Sequence, residues 1–186
     1  MSSSKKIILV GNGTDAVSRE AGEQIDSFDV VVRFNNFKIE GYEKNVGTKT
    51  DIWATRMCDT IDHTGKDEND FKIISVMNYC KWTRYMYPLI PKWYDRYPNM
   101  EIIRPETVKQ YSREFDYDPL KNWLTVGYIM IKYFLEQYDK VYLYGFGGDV
   151  NSHYHNVKPA GQDHHNFKLE AEKIKELEEK GKVIRI

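Results

Sequence analysis

The sequence predicts an α/β fold: a single Rossmann-like domain over residues 1–186, with a mostly parallel central sheet flanked by helices. Short apolar runs alternate with segments of helical spacing, a pattern typical of buried parallel strands joined by helical crossovers. The first run stops at a glycine-containing turn, as a strand does where it enters a βα loop. A chain of 186 residues, 41% of them hydrophobic, also suits one domain with one core.

The first elements predict a βαβ unit. Residues 6–10 form a short apolar strand that ends at Gly11-Asn12-Gly13, where the turn needs glycine. Residues 14–24 are predicted to form the following helix, and the β-branched residues of 28–34 favour a second strand.

The alternation continues along the chain. Further strands are predicted at residues 50–55, 71–77, 100–104, 140–146 and 182–186. Apolar residues at helical spacing from Leu120 to Tyr138, behind the helix-starting Pro119, predict the clearest helix of the chain. Residues 166–179 predict a charged helix that precedes the last strand.

Composition excludes several classes of protein. The net charge of -1, from 27 basic and 28 acidic residues mixed along the chain, argues against a nucleic-acid partner. No apolar stretch reaches the roughly 20 residues of a membrane span, and no signal-peptide core is recognisable, so we expect a cytoplasmic protein. Cys58 and Cys80 are too few for a disulfide scaffold and lack the spacing of metal ligands.

Histidines are concentrated in one short segment. Four of the five lie between positions 153 and 165, directly behind the predicted strand 140–146. Open α/β sheets place their sites outside the carboxyl ends of the strands, and imidazole titrates near neutral pH. The segment therefore indicates proton-transfer chemistry.

Four groups of segments follow one another along the chain: residues 8–13, 25–36 and 41–52; residues 124–127 and 138–146; residues 153–156; and His165 with Glu170. They resemble, respectively, the large, small, third and very small sialyl motifs of glycosyltransferase family 29, the eukaryotic-type sialyltransferases. The motifs occur in the family's order. The resemblance implies a GT-A-like variant fold and inverting transfer of sialic acid from CMP-sialic acid to a glycan hydroxyl, with no metal or other cofactor.

The resemblance also implies the residues of a nucleotide site. They are Gly11, Asn12, Gly13, Asn35, Thr125, Gly127, Gly145, Phe146 and Tyr154. A glycine turn lets backbone amides approach a phosphate or ribose, and the start of a helix favours anionic groups. Asn36 is an alternative to Asn35, and Val126 departs from the hydroxyl residues that the family often has there.

Two histidines receive catalytic roles from the resemblance. His165 corresponds to the general base that deprotonates the acceptor hydroxyl, with His164 as the competing assignment. His153 corresponds to the residue that faces the departing phosphate and, if protonated, offsets its charge, with Tyr154 assisting.

Other functions stay open on the sequence alone. A transferase for another CMP-activated ulosonic acid, such as Kdo, would share the nucleotide motifs. A metal-dependent hydrolase would use divalent ligands from the 149–165 cluster: His153, His155, His164, His165, Asp149 and Asp163. A non-catalytic module that binds a nucleotide or a glycan is the third alternative.

The middle of the chain has its own signal. Aromatic and basic residues are interleaved at 79–97, which suits stacking on sugar rings or contact with an anionic membrane. We interpret 78–118 as an acceptor-side lid, with peripheral membrane contact to a glycolipid acceptor as a second idea and core-filling aromatics as the alternative. Ile7 and Tyr138 stand where secretory family members have a disulfide, in keeping with a reducing cytosol.

Overall fold

The computed structural model describes residues 5–67, 69–80, 83–115, 122–147, 152–156 and 165–186. Its strands are β1 (Ile7–Val10), β2 (Val30–Phe34), β3 (Ile52–Arg56), β4 (Lys72–Val76), β5 (Glu101–Ile103), β6 (Val141–Tyr144) and β7 (Val183–Arg185). Its α-helices are α1 (Gly22–Asp26), α2 (Glu43–Val46), α3 (Thr83–Met86), α4 (Ile90–Arg96), α5 (Pro105–Ser112), α6 (Val126–Leu135) and α7 (Phe167–Glu179). Short 3₁₀ turns lie at Thr14–Val17 and Tyr87–Leu89.

All seven described strands form one parallel sheet in the order β5-β4-β3-β2-β1-β6-β7. The predicted α/β class is therefore confirmed, and the sheet is wholly parallel over the described strands. From β1 to β5 the chain adds strands on one side, and it then returns to place β6 on the other side of β1. This reversal between β1 and β6 is a topological switch point, where open α/β sheets form their ligand crevice.

The sheet is covered on both faces. Helix α6 lies on one face, with Ile129, Met130 and Ile131 fully buried against the strands. On the other face a cluster centred on Trp53 takes in Trp93 from α4. Burying a side chain of this size contributes roughly 1.5–3 kcal/mol, so the two layers fix the strand ends that form the site.

The predicted continuous helix at 14–24 is wrong. The structure instead has the 3₁₀ turn at Thr14–Val17 and the short helix α1. The reason lies in a distant contact: a Cβ on Gly22 would stand 2.2 Å from the carbonyl oxygen of Glu43, so α1 and α2 touch backbone to backbone here. Glycine permits that approach but weakens a helix interior.

The predicted helix from Leu120 to Tyr138 is shorter than expected: residues 122–125 and 136–138 are described and not helical, and α6 begins after the N-cap residue Thr125, whose hydroxyl caps it. Pro119 lies outside the described residues. Helix α5 was not predicted, although Pro105 in its first turn and Glu106 beside it are ordinary signals of a helix start.

The 78–118 segment divides at β5. Its second part supplies the edge strand β5 and helix α5, whose Val108 and Tyr111 belong to the core. Its first part buries Trp93 but leaves Tyr85 and Tyr87 about half exposed, at 52% and 51%. Tyr85 and Tyr87 therefore lie at the surface before β5, and the lid over 78–118 stays a prediction. Within the described residues, every helix is too short or too polar to span a lipid bilayer.

Candidate functional site

The turns after β1 and β6 meet backbone to backbone. The Gly11 N–H donates to the Tyr144 carbonyl at 2.8 Å, and the Gly13 N–H donates to the Gly145 carbonyl at 2.8 Å. A Cβ on Gly11 would lie 2.3 Å from the Gly145 oxygen, and one on Gly13 would lie 2.2 Å from the Gly147 oxygen. These glycines are required by the contact between the two turns, which also occupies the N–H groups of Gly11 and Gly13.

The side chains of two asparagines form hydrogen bonds that connect neighbouring strand ends. The Asn12 amide nitrogen donates to the Phe34 carbonyl at 3.1 Å, and the Asn35 side-chain oxygen accepts from the Arg56 N–H at 3.0 Å. Asn35 adopts the left-handed backbone conformation, with φ of 48°, which asparagine tolerates. The side-chain oxygen of Asn12 is buried and has no hydrogen-bond partner among the described residues, so it remains available to a ligand.

Phe146 joins the glycine turn to the start of α6. Its ring contacts Phe34 edge to face, with centroids 5.8 Å apart. A Cβ on Gly127 would lie 3.0 Å from the Phe146 ring, and a Cβ on Gly11 would lie 3.0 Å from another atom of it. Close packing around one ring is therefore a sufficient reason for glycine at position 127.

The histidine loop docks on the same turn. The Tyr154 N–H donates to the Asn12 carbonyl at 3.1 Å, and the Tyr154 hydroxyl donates to the Lys38 carbonyl. Within the loop, the backbone groups of His153 and Asn156 pair at 2.8 and 3.1 Å. The structure thus brings the predicted His153–Tyr154 pair to the predicted Asn12 turn, across more than 140 positions of sequence.

The pKa values of His153 and His155 in this loop are lowered, whereas the role considered for His153 in the sequence involves a protonated ring. Burial lowers the pKa of His153, and the positive charge of Arg56 lowers it further, so this imidazole is neutral near pH 7 in the free protein. Burial, His153 and Lys38 together lower the pKa of His155 to about 4. A protonated His153 therefore requires a negative charge to be brought beside it.

His165 lies on the α6 side of the sheet. Its Nδ1 is 2.8 Å from the Trp123 carbonyl oxygen, which can only accept, so Nδ1 carries the proton. The Nε2 atom of the neutral ring then has the lone pair that a general base needs. The competing His164 lies outside the described residues.

Glu170 is buried against the start of α6. Its carboxylate accepts from the Thr125 N–H at 2.8 Å and from the Thr125 hydroxyl at 2.5 Å, and it is only 5% exposed. Burial outweighs these two hydrogen bonds and raises the pKa of Glu170 to about 7. The Thr125 hydroxyl also caps α6 by accepting from the Tyr128 N–H at 3.1 Å. Glu170 and His165 therefore both hold the 123–125 segment, and the side chain and N–H of Thr125 are engaged within the protein.

Sequence reasoning missed two residues at the carboxyl ends of β3 and β4. Arg56 ends β3, and its Nε is buried without a hydrogen-bond partner among the described residues. Asn78 follows β4 and is 6% exposed; its amide nitrogen donates to the Leu124 carbonyl at 3.2 Å, while its side-chain oxygen has no described partner. The rule that pointed to Asn12 and Asn35, a polar residue just past a strand, also finds these two.

The residues described above line one region at the carboxyl end of the sheet, which we call the carboxyl-end crevice. Its walls are the residues after β1 to β4 and β6, the start of α6, and the loop 152–156. A cleft of about 720 Å³ adjoins it and is lined by Phe37, Lys38, Lys66, Phe71 and His155, among others. The cleft shares the residues after β2 and the loop 152–156 with the crevice, but none of its lining residues belongs to the glycine turn or to α6.

A metal centre finds no support in the described residues, which contain no cluster of three or more histidine, cysteine or acidic side chains able to share an ion. Three of the six ligands considered in the sequence, Asp149, Asp163 and His164, lie outside those residues.

Comparison with known proteins gives a consistent result. The family model described as glycosyltransferase family 29 (sialyltransferase) matches residues 2–182. The chain is 25% identical, over 93% of its length and 55% of the relative's, to a Rattus norvegicus CMP-N-acetylneuraminate-beta-1,4-galactoside alpha-2,3-sialyltransferase. It is 30% identical, over 96% of its length and 56% of the relative's, to the Rattus norvegicus lactosylceramide alpha-2,3-sialyltransferase. The chain thus spans about half the length of these curated relatives.

Solved structures agree in fold. A crystal structure of a mammalian sialyltransferase in complex with Gal-beta-1-3GalNAc-ortho-nitrophenol has a TM-score of 0.73 at 21% identity, over 99% of this chain and 70% of that one. Another crystal structure of a mammalian sialyltransferase has a TM-score of 0.74 at 21% identity, over 99% of this chain and 69% of that one.

Proposed function

Because the chain belongs to glycosyltransferase family 29, the sialyltransferase family, we propose that it transfers sialic acid from CMP-sialic acid to a hydroxyl group of a glycan. The observation that carries this proposal is the docking of the His153 loop on the Asn12 turn at the switch point of the sheet. This contact brings residues of the large and third motifs to one crevice, where a nucleotide and a leaving phosphate would lie together.

The proposed reaction is a single inverting displacement. The acceptor oxygen forms a bond to the anomeric carbon of sialic acid while the bond from that carbon to the phosphate oxygen breaks, and CMP leaves. The acceptor proton passes to Nε2 of His165. The hydrogen bond from Nδ1 to the Trp123 carbonyl supports this role, because it fixes both the tautomer and the ring.

His153 is proposed to face the leaving phosphate. It is neutral in the free protein because of burial and the charge of Arg56. A bound phosphate would bring negative charge beside it and raise its pKa, so protonation would accompany donor binding. The charge then forms where CMP departs.

Asn12 is proposed to bind the ribose. Its buried side-chain oxygen is an acceptor without a described partner, and an acceptor is matched by a hydroxyl rather than by a phosphate oxygen. Of the other nucleotide residues assigned from the sequence, Gly11 and Gly127 pack closely against Phe146 and so shape this end of the crevice. No metal or cofactor is required by this chemistry, because CMP is already a good leaving group and positioning does most of the work.

The acceptor is proposed to be a galactose-terminated glycan or glycolipid, by analogy with the galactoside and lactosylceramide relatives. Exposed Tyr85 and Tyr87 before β5 provide faces for a sugar ring or for the interface of a membrane that carries the glycolipid. A cytoplasmic location remains a proposal.

The test is a transfer assay with CMP-sialic acid and lactose or lactosylceramide, in which released CMP and sialylated product are both quantified. We expect equal amounts of the two and no loss of rate in EDTA. A higher rate with CMP-Kdo would reassign the donor, and inhibition by chelator would favour the hydrolase. Binding of CMP without any product would leave only the non-catalytic module.

A further inference from the structure

Arg56 and Asn78 lie side by side on the face of the sheet that carries α6. In the β3–β4 register Arg56 stands opposite Val76, and Asn78 is two residues further along the same chain. Side chains alternate along a strand, so Arg56 continues the row of Ile52 and Ala54, which pack in the α6 core. Asn78 reaches the same side, since its amide nitrogen bonds to the Leu124 carbonyl just before α6.

Both side chains have an unsatisfied buried polar atom. The Nε of Arg56 and the side-chain oxygen of Asn78 are buried without a hydrogen-bond partner among the described residues. Leaving such an atom unpaired is unfavourable, and a ligand with matching groups recovers the lost hydrogen bond. Asn78 is only 6% exposed, so surface water does not pair with its side-chain oxygen.

The guanidinium of Arg56 is held in place but not neutralised. Its terminal nitrogen donates to the Thr60 hydroxyl at 3.0 Å, and its backbone N–H is fixed by Asn35. In the part of the chain that the structure describes, no carboxylate forms a salt bridge with it. A fixed, unpaired guanidinium with a free Nε edge matches the two oxygens of a carboxylate or phosphate.

The charge of Arg56 acts where the proposed leaving group lies. Its positive charge is the one electrostatic influence, besides burial, that lowers the pKa of His153. Arg56 and His153 therefore lie close enough for their charges to interact. An anion placed beside them would be attracted by Arg56 before any histidine is protonated.

We propose that Arg56 binds the anionic part of the sugar nucleotide and supplies the fixed positive charge that the sequence assigns to His153, with Asn78 accepting a hydrogen bond from a hydroxyl or amide of the same ligand. The identity of the ligand rests on the proposed function. The shared chemistry is an oxyanion, either the phosphate of CMP or the carboxylate of sialic acid. Arg56 forms no covalent bond; it stabilises the negative charge that moves onto phosphate as CMP leaves.

Calorimetric titration with three ligands separates the two sources. Cytidine has neither anion, CMP has the phosphate, and a non-transferable 3-fluoro analogue of CMP-sialic acid has both. We expect Arg56→Gln to weaken CMP binding about 10- to 100-fold while cytidine binding is unchanged, the range for a lost charge-assisted hydrogen bond. A loss seen only with the sialyl analogue would place the carboxylate at Arg56. Equal affinities of variant and wild type for all three ligands would overturn the proposal.

Three controls keep the result interpretable. The exposed Arg113→Gln, at the end of α5, removes the same charge elsewhere and should leave all affinities unchanged. Arg56→Lys retains charge without the guanidinium fork, so its CMP affinity should fall between those of wild type and Arg56→Gln. Wild-type CMP binding should weaken with added salt while cytidine binding does not, a measurement that needs no variant to fold. If the binding of CMP and of the sialyl analogue were both insensitive to salt, the proposal would be contradicted.

A second readout tests position rather than folding. In the free protein, Arg56→Gln should raise the pKa of His153, measured by NMR titration of its ring, because the neighbouring positive charge is gone. An unchanged His153 pKa would show that the two groups do not face one space.

If wild type transfers sialic acid and Arg56→Gln does so equally well, this inference fails alone. If wild type binds CMP through Arg56 but transfers nothing, the proposed function fails instead.

Discussion

The two ends of the carboxyl-end crevice differ in how their polar groups are satisfied. After β1 and β6, the N–H groups of Gly11 and Gly13 and both polar groups of Thr125 bond within the protein. After β3 and β4, Arg56 and Asn78 keep buried atoms without a described partner. The residues with the clearest motif signal therefore build the crevice, whereas less conspicuous ones retain the unsatisfied atoms that a ligand can use.

The largest effect on the rate of transfer should come from His165, whose Nε2 is proposed to take the acceptor's proton. His165→Ala should reduce transfer by at least about 100-fold, because general bases contribute roughly 10²- to 10⁴-fold. CMP affinity, measured by calorimetry, should stay within about twofold of wild type, since a general base for the acceptor would contact the acceptor and not CMP. Exposed Lys168→Ala, on the first turn of α7, serves as the matched control. Retained turnover in the His165 variant would move the base to another group, first His164.

Gly11→Ala tests whether the motif end is architectural. The added Cβ would lie 2.3 Å from a backbone oxygen of Gly145, and neither turn can move without breaking the hydrogen bonds between them. We expect a loss of about 3 kcal/mol or more in unfolding free energy, or no folded protein at all. Gly41→Ala is the control: no atom lies within 4 Å of its added Cβ, so only its φ of 82° opposes the change. Equal melting temperatures for the two variants would contradict the architectural reading.

Asn12 is an exception at the motif end, as is His155 with its buried Nε2, and a variant at Asn12 sharpens the comparison. Asn12→Ala should weaken cytidine and CMP binding alike, by about 10-fold, if its orphan oxygen accepts from the ribose. Arg56→Gln should weaken CMP alone. A variant of Asn12 that discriminates between cytidine and CMP would place it at the phosphate, and unchanged affinity for both would remove it from the site.

The fold was largely predictable because its signals are local. Each strand of the sheet coincides with an apolar run. Turns and helices were indicated by Pro119, by Gly11 and by the charge pattern of residues 166–179, all of which are visible in the sequence. The broken 14–24 helix was not predictable, since the close contact of Gly22 is with Glu43. A propensity argument sees only neighbours, and tertiary contacts override it.

The approximate location of the candidate site was predictable from the sequence. Which of its polar groups bond within the protein was not. Strand ends and family motifs indicated Asn12, Asn35, His153 and His165. The engagement of Thr125 by Glu170, 45 positions away, has no local signal, and neither does the effect of Arg56 on the charge of His153. Which polar groups are already satisfied is a property of the folded chain only.

The last prediction concerns the pH dependence of stability and Glu170, the buried carboxylate that accepts hydrogen bonds from the start of α6. Its pKa is about 7 in the folded protein, against 4.5 for a free glutamate, so its contribution to stability is full below pH 4.5 and is lost as the pH rises to about 7. A shift of this size corresponds to about 3 kcal/mol, or roughly 5–10 °C in melting temperature. The difference between wild type and Glu170→Gln should therefore fall by that amount between pH 4.5 and 8. The histidines with lowered pKa values are present in both proteins and cancel in this difference.

The exposed Glu172→Gln on the same helix is the matched control and should give a difference that is flat with pH. A flat difference for Glu170→Gln as well would mean that the carboxylate is not desolvated in the folded state. The start of α6 would then be open to solvent and not closed off by a buried Glu170, and the contrast with Arg56 and Asn78 would be lost.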